Sequence, residues 1–141
     1  MKLNPQVKKI AINTNQDHQH YASLNIPIIF DKFENSIGPL AGIHAGMDYA
    51  LNFEHNPPFT HIVSVATDSP FFPSDMVYRF IKEVDHNTCV IMAKSVNRHH
   101  PIFALWPVKI LRSLEQWLET TDHYKIISFA EKHHLKYVDF I

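Results

Sequence analysis

Asp68 closes the apolar, β-branched run Thr60-His61-Ile62-Val63-Ser64-Val65-Ala66-Thr67 and precedes Ser69-Pro70. In an open parallel sheet, the carboxyl ends of the strands border the ligand crevice. A carboxylate there can hold Mg²⁺ through oxygen while the ion contacts substrate phosphates, which suits phosphoryl or nucleotidyl transfer. An aspartate in that place also suits a turn or a helix cap, and the residue types alone leave both readings open. Asp31 follows a second short apolar run, Pro27 to Phe30, and can face the same crevice.

The glycines carry a second signal. All three, Gly38, Gly42 and Gly46, lie four residues apart, so Gly42 and Gly46 share one face if the segment is helical. Gly38 reads as the turn before that face. Glycine inside a helix costs roughly 1 kcal/mol relative to alanine, so close packing on a sheet or close approach of a ligand should offset it. With no other glycine in the sequence, neither a Walker loop nor a dinucleotide-binding fingerprint is present.

Of the eleven histidines, pairs such as His18 and His20, His99 and His100, or His133 and His134 are candidate zinc ligands. None has the spacing of a strong zinc signature, and Cys89 is the only cysteine. A single cysteine in Thr88-Cys89-Val90-Ile91-Met92 reads as a buried strand thiol in a reducing compartment. The first residues lack the apolar region of a signal peptide, and no run is long enough for a membrane helix, so a cytoplasmic location is expected. The net charge of -1 suggests neither a strongly basic nucleic-acid surface nor an acidic disordered tail, so neither nucleic acid nor membrane is an expected partner.

The elements that must position these residues follow from periodicity. Val7 to Ile12 reads as a strand, Tyr21 to Asn25 as a short helical turn or loop, and Pro27 to Phe30 as a short buried strand. After Gly38-Pro39, Leu40, Ile43, Met47, Ala50 and Leu51 predict a helix, with Pro39 suited to its first position. Thr60 to Thr67 predicts an internal strand. Pro73-Ser74 opens a helix with Val77, Phe80, Ile81 and Val84 as one buried stripe. Thr88 to Ser95 and Ile102 to Trp106 read as strands, Leu111, Leu114 and Leu118 as an amphipathic helix, Asp122 to His134 as a further helix, and Leu135 to Phe140 as a terminal strand. Met47, Met92, Phe80, Phe103, Trp106 and Trp117 are expected in the core. The alternation argues for an α/β domain with helices covering a mainly parallel sheet, in 141 residues without a domain boundary.

Three segments, in order, resemble motifs of the molybdenum cofactor guanylyltransferase (MobA) family. They are Gly38-Pro39-Leu40-Ala41-Gly42-Ile43-His44-Ala45-Gly46, Val65-Ala66-Thr67-Asp68-Ser69-Pro70-Phe71-Phe72-Pro73 and Arg98-His99-His100-Pro101-Ile102-Phe103-Ala104-Leu105-Trp106. Ile12-Asn13-Thr14-Asn15-Gln16, the Asp31 turn and Val138-Asp139-Phe140 also fit. The resemblance runs through nearly the whole chain. It implies a Rossmann-like three-layer nucleotidyltransferase domain that transfers GMP from MgGTP to molybdopterin, or its molybdenum-bound form, and releases pyrophosphate.

On the same resemblance, Asp68 matches the metal- and nucleotide-binding aspartate. Asn13 and Asp31 match guanine nucleotide positions, and Gly38, Pro39 and Leu40 border the nucleotide. His100, within Arg98 to Pro101, lies nearer the acceptor. The family's first strand and Gly-rich loop are not found in these residues, which read as one partial domain over residues 1–141. A partner strand or self-association would satisfy the sheet edge this leaves. A nucleotide- or cofactor-binding protein without turnover, or a structural interaction remnant, is therefore the alternative to an enzyme.

Overall fold

A computed structural model describes residues 6–14, 25–33, 38–66, 72–87, 90–96, 98–120 and 125–140. In chain order these form β1 (Ile12–Asn13), β2 (Ile28–Ile29), α1 (Pro39–Asn52), β3 (His61–Ser64), α2 (Met76–Lys82), β4 (Ile91–Ser95), β5 (Arg98–Pro107), α3 (Leu111–Thr120), α4 (Ile126–Ala130) and β6 (Lys136–Asp139). Short 3₁₀ turns at Val108–Ile110 and Glu131–His133 flank α3 and follow α4.

β1 and β2 form a parallel pair, and the other strands form a sheet in the order β3-β5-β4-β6. β5 is antiparallel to both β3 and β4, while β4 is parallel to β6, so β3, β4 and β6 all run the same way. β5 alone is reversed because it leaves β4 through a tight hairpin at Val96, and such a connection can join only antiparallel neighbours. The α/β expectation of a mainly parallel sheet thus holds in strand direction.

Side-chain alternation divides the core between the two faces of this sheet. Met92, Ala104 and Trp106 face α1, α3 and α4, packing with Leu40, Met47, Leu114 and Phe129. Ile91, Ala93, Leu105 and Val138 face α2, packing with Met76, Val77 and Phe80. The result is helix, sheet, helix: three layers. The apolar stripe of α3, Leu111, Leu114 and Leu118, is buried as its spacing predicts. Met47, Met92, Phe80 and Trp106 are buried, and Phe103 and Trp117 pack against the two clusters.

Several sequence expectations need correction. Val7 to Ile12 is not a strand: pairing begins only at Ile12. Val7 and Ile10, three residues apart, pack instead on the α2 side of the core. Gln6 anchors this segment, its Oε1 accepting the Val77 N–H at 2.9 Å and its Nε2 donating to the Pro73 carbonyl at 3.3 Å. β2 is half-buried rather than buried, and Phe30 is exposed, because the strand has a hydrogen-bonded neighbour on one side only among the described residues. β3 likewise pairs on one side only among the described residues, against the expectation of an internal strand. On α2, Met76 is buried with Val77 and Phe80 while Ile81 is exposed, and on α1 Leu51 is exposed; both outward residues lie in the last turn of their helix. The starts predicted at Thr88 and Asp122, and Tyr21 to Leu24, lie outside the described residues, as does Cys89.

One irregularity matters for the site. The β4–β5 pairing passes from Met92↔Ala104 directly to Ala93↔His100, leaving Pro101, Ile102 and Phe103 as extra residues on β5. The Ile102 carbonyl, at this break in the ladder, accepts a 2.6 Å hydrogen bond from Ser64 Oγ. Ser64 Oγ in turn accepts the indole N–H of the fully buried Trp106 at 3.1 Å. Ser64→Ala leaves both groups without this partner and should cost about 1–3 kcal/mol in denaturant unfolding. Unchanged stability would contradict this role for Ser64.

Candidate functional site

The site begins at the amino end of α1. Gly38 has φ +81° and ψ -166°, a conformation available essentially to glycine, and Pro39 fixes the first helical position after it. The Ala41 N–H is satisfied by the Gly38 carbonyl at 3.2 Å. Gly38 and Pro39 are exposed, whereas the Leu40 side chain lies wholly in the core. A ligand at Leu40 would therefore meet backbone rather than side chain.

One turn along, Gly42 meets β1. A Cβ on Gly42 would sit 2.5 Å from Asn13 Oδ1 and 3.3 Å from its Cγ, so only glycine lets the helix come this close. The Asn13 carboxamide is held on its other side, where Nδ2 donates to Asp31 Oδ1 at 2.9 Å and to the Ile29 carbonyl at 3.3 Å. Alternation explains the arrangement: Ile12 is buried, and Asn13, the next residue, is turned out to solvent. Sequence positions 13, 31 and 42 thus form one cluster at the carboxyl ends of β1 and β2. Asp31 also borders a groove of ≈ 490 Å³ that includes Lys32, Asp48 and Tyr49. Lys32 pairs with Asp48 at 2.8 Å, and that hydrogen-bonded carboxylate raises the lysine pKa.

The second half of the site lies on the larger sheet. Ser64 pairs with Ala104, and β5 extends from Ala104 back to Arg98 towards the end where the chain leaves β3 for Ala66. Asp68, two residues beyond Ala66, lies outside the described residues, as does the rest of 67–71. The carboxyl ends of β4 and β6 share that end of the sheet, where Lys94 pairs with both His99 and Asp139.

The structure separates the two adjacent histidines. His99 stacks on Tyr137, with ring centroids 4.2 Å apart and an 18° interplanar angle, beside a groove of ≈ 510 Å³. Burial raises the Tyr137 pKa above its ordinary value, and the nearby Glu131 charge adds to the shift. His100 belongs to the other face, where its Nε2 lies 2.6 Å from Ser95 Oγ. Among the described residues, no three His, Cys, Asp or Glu side chains are grouped to hold a metal ion.

Sequence reasoning missed two elements. Ser95 carried no signal beyond its place in a strand. His44, 2% exposed between α1 and α3, lies 3.3 Å from Glu115 Oε2 without hydrogen-bond alignment and meets the Phe33 ring edge-on at 4.9 Å. Its helical spacing from Leu40 and Met47 was the available clue.

The model of the MobA-like NTP transferase domain matches residues 1–136. The chain belongs to this family. Its members are nucleotidyltransferases. A protein of Rhizobium johnstonii named molybdenum cofactor guanylyltransferase is 36% identical over 139 residues, covering 99% of this chain and 63% of that protein. A protein of Rhizobium leguminosarum bv. trifolii with the same name is 37% identical, again over 99% of this chain and 63% of the relative. The MobA-like chain thus spans 63% of the length of these curated relatives.

The fold agrees. A crystal structure of a protein from Aquifex aeolicus VF5 superposes with a TM-score of 0.74 at 18% identity, over 95% of this chain and 65% of that one. The molybdopterin-guanine dinucleotide biosynthesis protein A of Archaeoglobus fulgidus gives a TM-score of 0.67 at 21% identity, over 92% and 62%.

The two helical glycines of this MobA-like domain should respond differently to alanine. At Gly46 the nearest atom to a new Cβ is Ile62 Cδ1 at 3.1 Å, the free end of a flexible side chain. At Gly42 it is the doubly tethered Asn13 amide. We expect Gly42→Ala to cost about 1–3 kcal/mol from overpacking, exceeding the gain of roughly 1 kcal/mol from helix propensity, and Gly46→Ala to be near neutral. Chemical denaturation of the two variants checks this, and the reverse order would contradict the geometry.

Proposed function

We propose that this chain carries the guanine-nucleotide half of a molybdenum cofactor guanylyltransferase, which transfers GMP from MgGTP to molybdopterin or its molybdenum form with release of pyrophosphate. The observation that carries the reading is the Asn13–Asp31 pair held under Gly42, in a chain matched over 99% of its length by proteins of that name. A carboxylate offers acceptor lone pairs only, and guanine presents N–H donors along its pairing edge. Asn13 orients Asp31 by donating from Nδ2 to its Oδ1. Gly38 and Pro39 are exposed at the start of α1, where backbone N–H groups and the helix dipole favour an anion. The Leu40 side chain anchors that turn from below.

In this reading, Asp68 is the catalytic and metal-binding residue. Mg²⁺ in nucleotide sites is commonly held by one or two carboxylates together with substrate phosphates, so a single aspartate beyond β3 suits it. The ion would supply charge neutralisation at the phosphates. The chain's own residues bind and orient: Asn13 and Asp31 the base, Gly38 to Leu40 the nucleotide, and His100 the acceptor phosphate. Since that phosphate is already anionic, attack on the α-phosphorus depends on alignment more than on a protein base. A cytoplasmic site of action fits substrates of this kind. Among the described residues no helix is long and apolar enough to cross a membrane.

A second reading is nucleotide binding without turnover. It keeps Asn13, Asp31 and Asp68 as binding residues without GMP transfer. GMP transfer from MgGTP to freshly prepared molybdopterin, measured with this chain beside Asp68→Ala, separates the two. We expect transfer that falls at least about 10²-fold in the variant, as for loss of a principal charge-stabilising group. GTP binding without transfer supports the second reading. Absence of both overturns the nucleotide assignment.

A further inference from the structure

The acceptor-side role of His100 leaves open what fixes its ring, and the β4–β5 hairpin supplies a candidate. Ser95 ends β4 and pairs with Arg98, which opens β5. Ser95 lies in the alternation of Ile91 and Ala93, whose side chains face α2, and Ala93 is the register partner of His100. The 2.6 Å contact between Ser95 Oγ and His100 Nε2 therefore runs diagonally across the hairpin, between two partly buried side chains.

The surroundings restrict both partners. Val96, in the turn, has φ +47°, a left-handed conformation that costs a β-branched residue of order 1–3 kcal/mol, so the hairpin geometry is imposed by its neighbours. Pro101 fixes the backbone immediately after His100 and contributes no N–H. Phe103 meets the His100 ring edge-on, with centroids 6.5 Å apart. His99, turned to the opposite face and stacked on Tyr137, cannot share the same contact.

A neutral imidazole has one donor nitrogen and one acceptor nitrogen, and the bond made by one sets what the other offers. We propose that Ser95 is a positioning residue: its hydroxyl donates to Nε2 of His100, holding the ring as the Nδ1–H tautomer, which presents an N–H donor to a phosphate group of the acceptor. This rests on the placement of His100 at the acceptor side. An anionic oxygen accepts hydrogen bonds only, so the N–H form binds it and the opposite tautomer would set a lone pair against it. Ser95 acts on binding through tautomer and orientation, with no bond made or broken.

The test reads the tautomer first, in the free protein. With ¹⁵N-labelled histidine at about pH 8, above the ordinary histidine pKa, long-range ¹H–¹⁵N spectra distinguish the two nitrogens. We expect an unprotonated Nε2 and a protonated Nδ1 for His100. Ser95→Ala should return the ring to a mixture of tautomers, and Ser95→Thr, which keeps the hydroxyl, should restore the single form. Inorganic phosphate is then titrated into each variant, with thermal unfolding confirming that each is folded. The His100 Nδ1–H resonance should shift on binding, with apparent affinity weakened roughly 3–10-fold in Ser95→Ala, about the worth of one hydrogen bond, and recovered in Ser95→Thr.

A protonated Nε2 in the unsubstituted protein overturns the proposal. So does a correct tautomer whose Nδ1–H is unmoved by saturating phosphate. Neither spectrum depends on turnover. If GMP transfer fails while the tautomer and phosphate responses appear, the enzyme assignment falls and the role of Ser95 stands.

Discussion

Two sheets that share no strand pairing among the described residues are held in one domain with α1 lying on both. Its glycines make this possible: Gly42 admits the Asn13 side chain of β1, and one turn later Gly46 admits Ile62 of β3. A side chain at Gly42 would push the helix off β1 and, with it, off the Asn13–Asp31 hydrogen bond. The cost of glycine in a helix is offset here by contact with two strands and by a polar pair at their ends. Of the two alternatives the residue types left open, packing is met: the glycine face packs on β1 and β3, and β1 carries the candidate nucleotide residue Asn13.

The opposite half of the site follows from a different constraint. β5 must run from a hairpin at its start to a buried end between β3 and β4, and its register with β4 breaks at Met92/Ala93. Ser64 satisfies the Ile102 carbonyl at the break and the Trp106 indole in the core, so the irregularity adds no unpaired group at either point. Beyond it, consecutive histidines leave the strand on opposite faces. Their identity as a pair in the sequence conceals two environments, one an aromatic stack and the other a hydroxyl contact.

Much of this was legible in the residues. The stripes of α1 and α3 have the period of a helix and a single apolar side, and tertiary structure followed them. Val7 to Ile12 failed because apolar content alone does not specify a pairing partner: Val7 and Ile10 pack on the α2 side of the core, and only Ile12 enters a strand. Ile81 and Leu51 failed because a stripe does not say where a helix stops. The site was less legible by composition. Asn13, Asp31 and Gly42 are brought together over 18 and 29 positions by chain crossings that no local pattern encodes, and only the resemblance to a family placed the first two in one role. Ser95 had neither periodicity nor motif, because its significance is a diagonal contact across the β4–β5 hairpin.

On the proposed function, the Asn13–Asp31 pair under Gly42 recognises a guanine nucleotide. Backbone amide NMR of this chain titrated with MgGTP, and separately with MgATP, tests it most directly. MgGTP should shift the amides of Asn13, Asp31 and Gly38 to Gly42, and MgATP should shift the Asn13 and Asp31 amides far less at equal concentration. Shifts absent from these residues, or equal for the two nucleotides at Asn13 and Asp31, would contradict it.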